Sequence, residues 1–201
     1  MPNVCTKSYA APPVDRREIL RYAGVRGDAE ELAPMLDECL AQLQGRLCYK
    51  VCYCELPVVR REGDLEIGVI RTASESLRER LAGCERAVLF AATVGLEIDR
   101  LIQRYGTQSP AKALFLQAIG TERVEALCDL FEGELSAQLA REGFLTRPRF
   151  SPGYGDLALE LQRDVFAMLD CPRKIGVFLG ESLLMTPSKS VTALIGIKRS
   201  E

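Results

Sequence analysis

Apolar residues recur at two different spacings along this chain, and the switches between them divide it into helices and strands. Spacings of three and four mark helices. Arg16 to Tyr22 is the first, with Asp15 placed to accept amide protons as its N-cap and Gly24 and Gly27 to end it. Asp28 to Leu43 is the second, with Leu32, Met35 or Leu36, Cys39, Leu40 and Leu43 on one face. Shorter helices are expected from Thr72 or Ser74 to Ala82 and from Gly95 to Tyr105, the latter stopping at Gly106. Pro110 to Arg141 carries the stripe Val124, Leu127, Cys128, Phe131, Leu135 and Leu139. It would be ~48 Å long if unbroken, and Gly120-Thr121 is the place for a kink. A last helix follows Asp156 as N-cap, with Leu157, Leu161, Val165 and Met168 or Leu169 on one face, and Cys171-Pro172 ends it.

Strands are expected at Leu47–Glu55, Leu65–Ile70, Ala87–Thr93, Ile175–Leu179 and Ser190–Ile197. Ala87–Thr93 is a continuous apolar run, as in a strand buried on both faces. In the last strand Val191, Ala193, Ile195 and Ile197 face one way. Helices and strands mix without a regular βαβ rhythm. The pattern predicts an α+β fold with a mixed or antiparallel sheet and several packed helices. Residues 1–14, closed by Pro12-Pro13, read as an irregular segment, and 15–201 as a single domain.

Composition narrows the function. The 201 residues are 47% apolar and carry a formal charge of -2, which gives no broad electrostatic case for nucleic acid. The chain shows no signal-peptide pattern and no apolar run long enough for a membrane span, so a soluble cytoplasmic protein is expected. Histidine is absent, which excludes His-based nucleophilic triads and His-ligated metals. The eight cysteines read as reduced thiols. Cys48, Cys52 and Cys54 would point the same way on a strand and offer a metal or redox site, although small buried hydrophobes explain them better. No glycine-rich dinucleotide loop or phosphate-binding lysine motif is present. Most carboxylates belong to solvated helix faces, while Glu132 flanks an apolar stripe.

The segment Arg149-Phe150-Ser151-Pro152-Gly153-Tyr154 concentrates chemistry. Arg149 offers a planar fork suited to a carboxylate. Pro152 fixes its own φ, and Gly153 permits positive φ and close approach. Tyr154 offers a hydroxyl and a ring face that can hold a cation. The same residues also suit an ordinary turn.

Three segments together resemble a known family. They are Asp15-Arg-Arg-Glu-Ile-Leu-Arg-Tyr-Ala-Gly, Arg149-Phe-Ser-Pro-Gly-Tyr154 and Glu181-Ser-Leu-Leu-Met-Thr-Pro-Ser-Lys-Ser-Val-Thr192. In that order they resemble the activation domain of cobalamin-dependent methionine synthase. The resemblance implies an S-adenosylmethionine-binding module that serves reductive reactivation. An oxidised cob(II) cofactor is reduced by a flavodoxin-like or other electron donor and then remethylated from S-adenosylmethionine. It implies ligand contacts at Arg149, Ser151, Pro152, Gly153 and Tyr154. It further implies that Asp15 faces the ligand's amino group, and that Glu132 is the nearest match to a glutamate on the long helix. On this view Arg149→Ala weakens ligand binding and leaves the fold intact. Phe150 replaces the family proline, Ser151 replaces a small apolar residue, and the chain stops at Glu201 before the family's terminal tyrosine pair. No cobalamin-binding motif is present, so cobalamin would belong to a separate corrinoid methyltransferase, with a methionine synthase the natural partner. The alternatives are a self-sufficient small-molecule methyltransferase and a cysteine-based metal or redox protein using Cys48, Cys52 and Cys54.

Overall fold

The computed structural model describes residues 2–26 and 30–200. It opens with strand β1 (Cys5–Tyr9), helix α1 (Arg16–Tyr22) and, after a 3-10 turn, helix α2 (Ala33–Leu43). Strands β2 (Tyr49–Arg60), β3 (Leu65–Ile67) and β4 (Ile70–Thr72) lead to helix α3 (Glu75–Arg80) and strand β5 (Arg86–Thr93). Helices α4 (Glu97–Gln108) and α5 (Pro110–Arg141) precede β6 (Phe144–Thr146). The last part holds α6 (Gln162–Leu169), α7 (Cys171–Ile175), β7 (Phe178–Leu179), β8 (Met185–Thr186) and β9 (Ser190–Arg199).

The fold is α+β, and every ladder is antiparallel. The main sheet has seven strands in the order β4-β3-β2-β5-β9-β6, with β1 also paired to β2, and β7 and β8 form a separate hairpin. Helices cover both faces of the main sheet. Val88, Phe90 and Ala92 of β5 join one core with α1, α2, α4 and α5. Ala87, Leu89 and Ala91 join the other with α3, α6 and α7. That double burial is why β5 reads as an unbroken apolar run. In β9, Ala193, Ile195 and Ile197 share the first core, and Leu194 faces the second.

Helix α5 is the spine of the first core. Its Phe131 ring lies 5.0 Å from Phe90 and 5.1 Å from Tyr53. Burying such a side chain contributes roughly 1.5–3 kcal/mol. The helix runs without interruption through Gly120. That glycine serves close packing instead of a kink, since a Cβ there would sit 2.8 Å from both Ile98 Cδ1 and Lys189 Cγ. On β9, a Cβ at Gly196 would sit 2.7 Å from Cys84 Sγ and Leu81 Cδ2, so the end of α3 packs directly on the strand.

Several local expectations are corrected. The segment 1–14 is not irregular throughout, because Cys5–Tyr9 pairs with residues 49–53. Gly106 lies inside α4. Residues 65–72 form two strands around Gly68, with φ +61°. Cys171-Pro172 starts α7 instead of only ending α6, because Asp170 turns the chain in the left-handed region and proline fits a first helical turn. The proposed start of α2 at Asp28 and the stop at Gly27 lie outside the described residues. Among the described residues no helix is long and apolar enough to cross a membrane.

Candidate functional site

The Arg149–Tyr154 loop continues the edge of the main sheet beyond β6. Phe150 N–H donates to the Leu194 carbonyl and its own carbonyl accepts from Leu194 N–H, both at 2.9 Å. The chain then turns through Gly153 at φ +93° and Gly155 at φ +57°. Gly153 N–H donates to Leu157 O at 2.8 Å, which closes the turn. Asp156 does not cap the helix that follows it, since that helix starts only at Gln162, after a 3-10 turn. Its carboxylate instead accepts from Ser74 Oγ (2.5 Å), Glu75 N–H (2.7 Å) and Ser76 N–H (3.2 Å), clamping the loop to the start of α3. The Ser74 hydroxyl and those amides hold the Asp156 carboxyl well below the usual carboxylate range.

Arg149 is not a free fork. Its Nη2 donates to Glu125 at 2.6 Å, and its Nη1 to Asp129 at 2.7 Å and lies 3.1 Å from Glu132 Oε1. Positions 125, 129 and 132 follow the i, i+4, i+7 spacing of one helix face, so α5 presents all three carboxylates together. Three carboxylates and one guanidinium leave a formal charge of -2 (1 − 3). Burial pushes the Glu132 carboxyl up, and Arg149 pulls it back only in part. Such a cluster favours a cation over the carboxylate that the sequence alone assigns to Arg149.

A cavity of about 460 Å³ opens beside the loop. Arg149, Phe150, Ser151, Pro152 and Tyr154 form one wall. Ser190 and Thr192 of β9 and Met185 of β8 also line it, with Glu125 from α5, Arg80 from α3 and Gln162 from α6. The Arg80 guanidinium lies 5.6 Å from the Phe150 ring centroid and has no ion pair among the described residues. The cavity therefore sets a carboxylate, Glu125, and a guanidinium, Arg80, on a partly apolar surface.

Four of the seven site residues expected from sequence meet at this cavity: Arg149, Ser151, Pro152 and Tyr154. Gly153 shapes the turn without lining the cavity, and Glu132 touches Arg149 from a separate hollow. Asp15 is elsewhere. It caps α1 by accepting from Arg17 and Glu18 N–H, and its own N–H donates to Glu122 Oε1 at 3.0 Å. The buried Glu122–Arg123 pair holds this region down, with Arg123 donating to the Pro12 and Pro13 carbonyls at 2.6 and 2.7 Å.

Arg80, Glu125, Met185, Gln162, Ser190 and Thr192 were not singled out from sequence. Met185, Ser190 and Thr192 do fall in the Glu181–Thr192 segment, and Glu125 shares a helical face with Glu132. Arg80 and Gln162 carry no local signal, since packing of α3 and α6 brings them in.

The three cysteines do not converge. Cys48 is exposed ahead of β2, whereas Cys52 and Cys54 are buried in the second core. Burial pushes the Cys54 thiol up to about 11, and the Cys171 thiol holds the Cys52 thiol below its ordinary value. Among the described residues no group of three or more His, Cys, Asp or Glu is placed to hold a metal.

No protein-family model matches the chain, and no curated protein matches it significantly. Among solved structures it is similar to the crystal structure of the MetH reactivation domain bound to AdoHcy, with a TM-score of 0.69 and 16% identity. The match covers 96% of this chain and 78% of that one. The two share a fold.

Proposed function

We propose that this chain is an S-adenosylmethionine-binding module that acts in the cytoplasm on a separate corrinoid methyltransferase, a methionine synthase in the first instance. The reading rests on one observation above all: the motif-bearing loop borders a ligand-sized cavity with opposite charges on its walls. About 460 Å³ falls within the roughly 300–1,000 Å³ of small-molecule sites. The shared fold with a domain solved with AdoHcy supports it.

The residues present fit the ligand. Its ammonium and sulfonium suit Glu125 and the net-negative cluster behind it, and its carboxylate suits Arg80. Phe150, Met185 and the exposed ring of Tyr154 offer apolar and aromatic surface to the rest. S-adenosylmethionine supplies an activated methyl group when bound. The chain's own part is to hold and present it, and the corrinoid and a flavodoxin-like or other reductant come from partner proteins.

Calorimetry tests the site. Wild-type protein binds S-adenosylmethionine, and Arg80→Ala weakens binding roughly ten- to hundredfold, the worth of one charged hydrogen bond. Unchanged affinity in Arg80→Ala would refute the carboxylate assignment. Reactivation tests the role: an oxidised corrinoid methyltransferase recovers activity with ligand and reductant only when this chain is added. Methyl transfer to a small acceptor by the chain alone would favour a self-sufficient methyltransferase instead.

A further inference from the structure

Gln162 is the first residue of α6, is only 6% exposed and lines the cavity. Its Oε1 is buried with no hydrogen-bond partner, and its side-chain amide makes no hydrogen bond to the described residues. Folded proteins keep few such atoms, because an unpaired buried polar group forfeits its bonds to water. Ser190 Oγ, at the same cavity, bonds to Thr93 Oγ1 and the Pro187 carbonyl instead. The Arg80 guanidinium is turned toward the Phe150 ring. The carboxamide stands at the cavity wall with no hydrogen bond to the described residues.

A carboxamide presents an acceptor and a donor side by side. Adenine offers the complementary pair, with a 6-amino group that donates and an adjacent ring nitrogen that accepts. We propose that Gln162 reads the base of the ligand: its carboxamide pairs with the amino-bearing edge of adenine. This rests on the reading above, that the cavity takes an S-adenosyl compound, and adds a specificity-determining residue to it. Oε1 takes the amino proton and Nε2 donates to the ring nitrogen.

The test compares S-adenosylhomocysteine with its analogue bearing hydrogen in place of the 6-amino group. Calorimetry is run on wild type and on Gln162→Leu, which keeps the bulk and removes both polar atoms. Wild type should prefer the amino compound about ten- to hundredfold. Gln162→Leu should bind both compounds alike, and no more tightly than wild type binds the 6-deamino analogue, which keeps the ring-nitrogen bond. Ligand-free Gln162→Leu should melt no lower than wild type, because an unpaired buried acceptor has been removed. Discrimination that persists in Gln162→Leu overturns the inference alone and leaves the S-adenosyl site standing. A lower melting temperature with equal loss of affinity for both compounds marks a packing role and also overturns it. Failure of wild type to bind either compound removes the S-adenosyl site and this inference with it.

Discussion

Replacing Arg149 by methionine keeps most of the side-chain bulk and deletes the charge that three carboxylates share. The cost follows from their exposure. Arg149 is 23% exposed, and Glu125, Asp129 and Glu132 are 37%, 70% and 25% exposed. The Asp129 contact, mostly in water, is worth about 0.5 kcal/mol. The Glu125 bond, partly screened, is worth about 1 kcal/mol. Glu132 loses the cation beside its buried Oε1, which costs about 1–2 kcal/mol. The total, about 3 kcal/mol at neutral pH, corresponds to a drop of roughly 6–12 °C in melting temperature for a chain of this size. Arg149→Ala, which also removes the bulk, is therefore not the silent change in fold that a surface ligand residue would give.

The sign with pH is fixed by Glu132. Burial raises its folded carboxyl pKa, and Arg149 pulls it back. Without Arg149 the folded value rises further. A carboxyl with a raised folded pKa destabilises the protein above its unfolded value, and the penalty fades as pH falls through the folded value. Urea unfolding should therefore show a larger deficit for Arg149→Met at pH 7.5 than at about pH 5. Adding Glu132→Gln should recover about 1 kcal/mol of the loss. Equal deficits at both pH values, with no recovery in the double variant, would refute the electrostatic account and leave only packing.

Two further outcomes are expected. Asp156→Asn should melt lower than wild type at neutral pH. Ser74 and the α3 amides depress the folded pKa of Asp156, so its contribution is full above the unfolded value and is lost as pH falls below about 4. Thermal melts across that range should show the gap between the two proteins closing. Gly196→Val should cost about 1–3 kcal/mol by overpacking against Cys84 and Leu81. A wild-type denaturation midpoint in that variant would show that α3 does not bear on the strand.

Elements whose stabilisation is local were legible in the sequence. Helix α5 matches the expected Pro110–Arg141, since proline suits its first turn and its apolar stripe persists for many turns. Strand β5 was legible for its apolar run, and Asp15 and Ser74 for their capping chemistry. Elements created by distant partners were not. Residues Cys5–Tyr9 are mostly exposed and become a strand only through β2. Asp156 has its partners some 80 residues away. At the site, loop residues were legible because proline, glycine and arginine carry conformational and ionic signatures. The charges that occupy Arg149 were not, because side chains on α5 become its neighbours only when the helix packs beside the loop.

The rung between Phe150 and Leu194 constrains which residues can stand in the loop. Position 150 must supply an amide hydrogen, and proline has none. This chain carries phenylalanine there, and its amide hydrogen extends the outermost ladder by one step. Proline here would unzip that step and loosen the strand end that carries the Arg149–Tyr154 wall of the cavity.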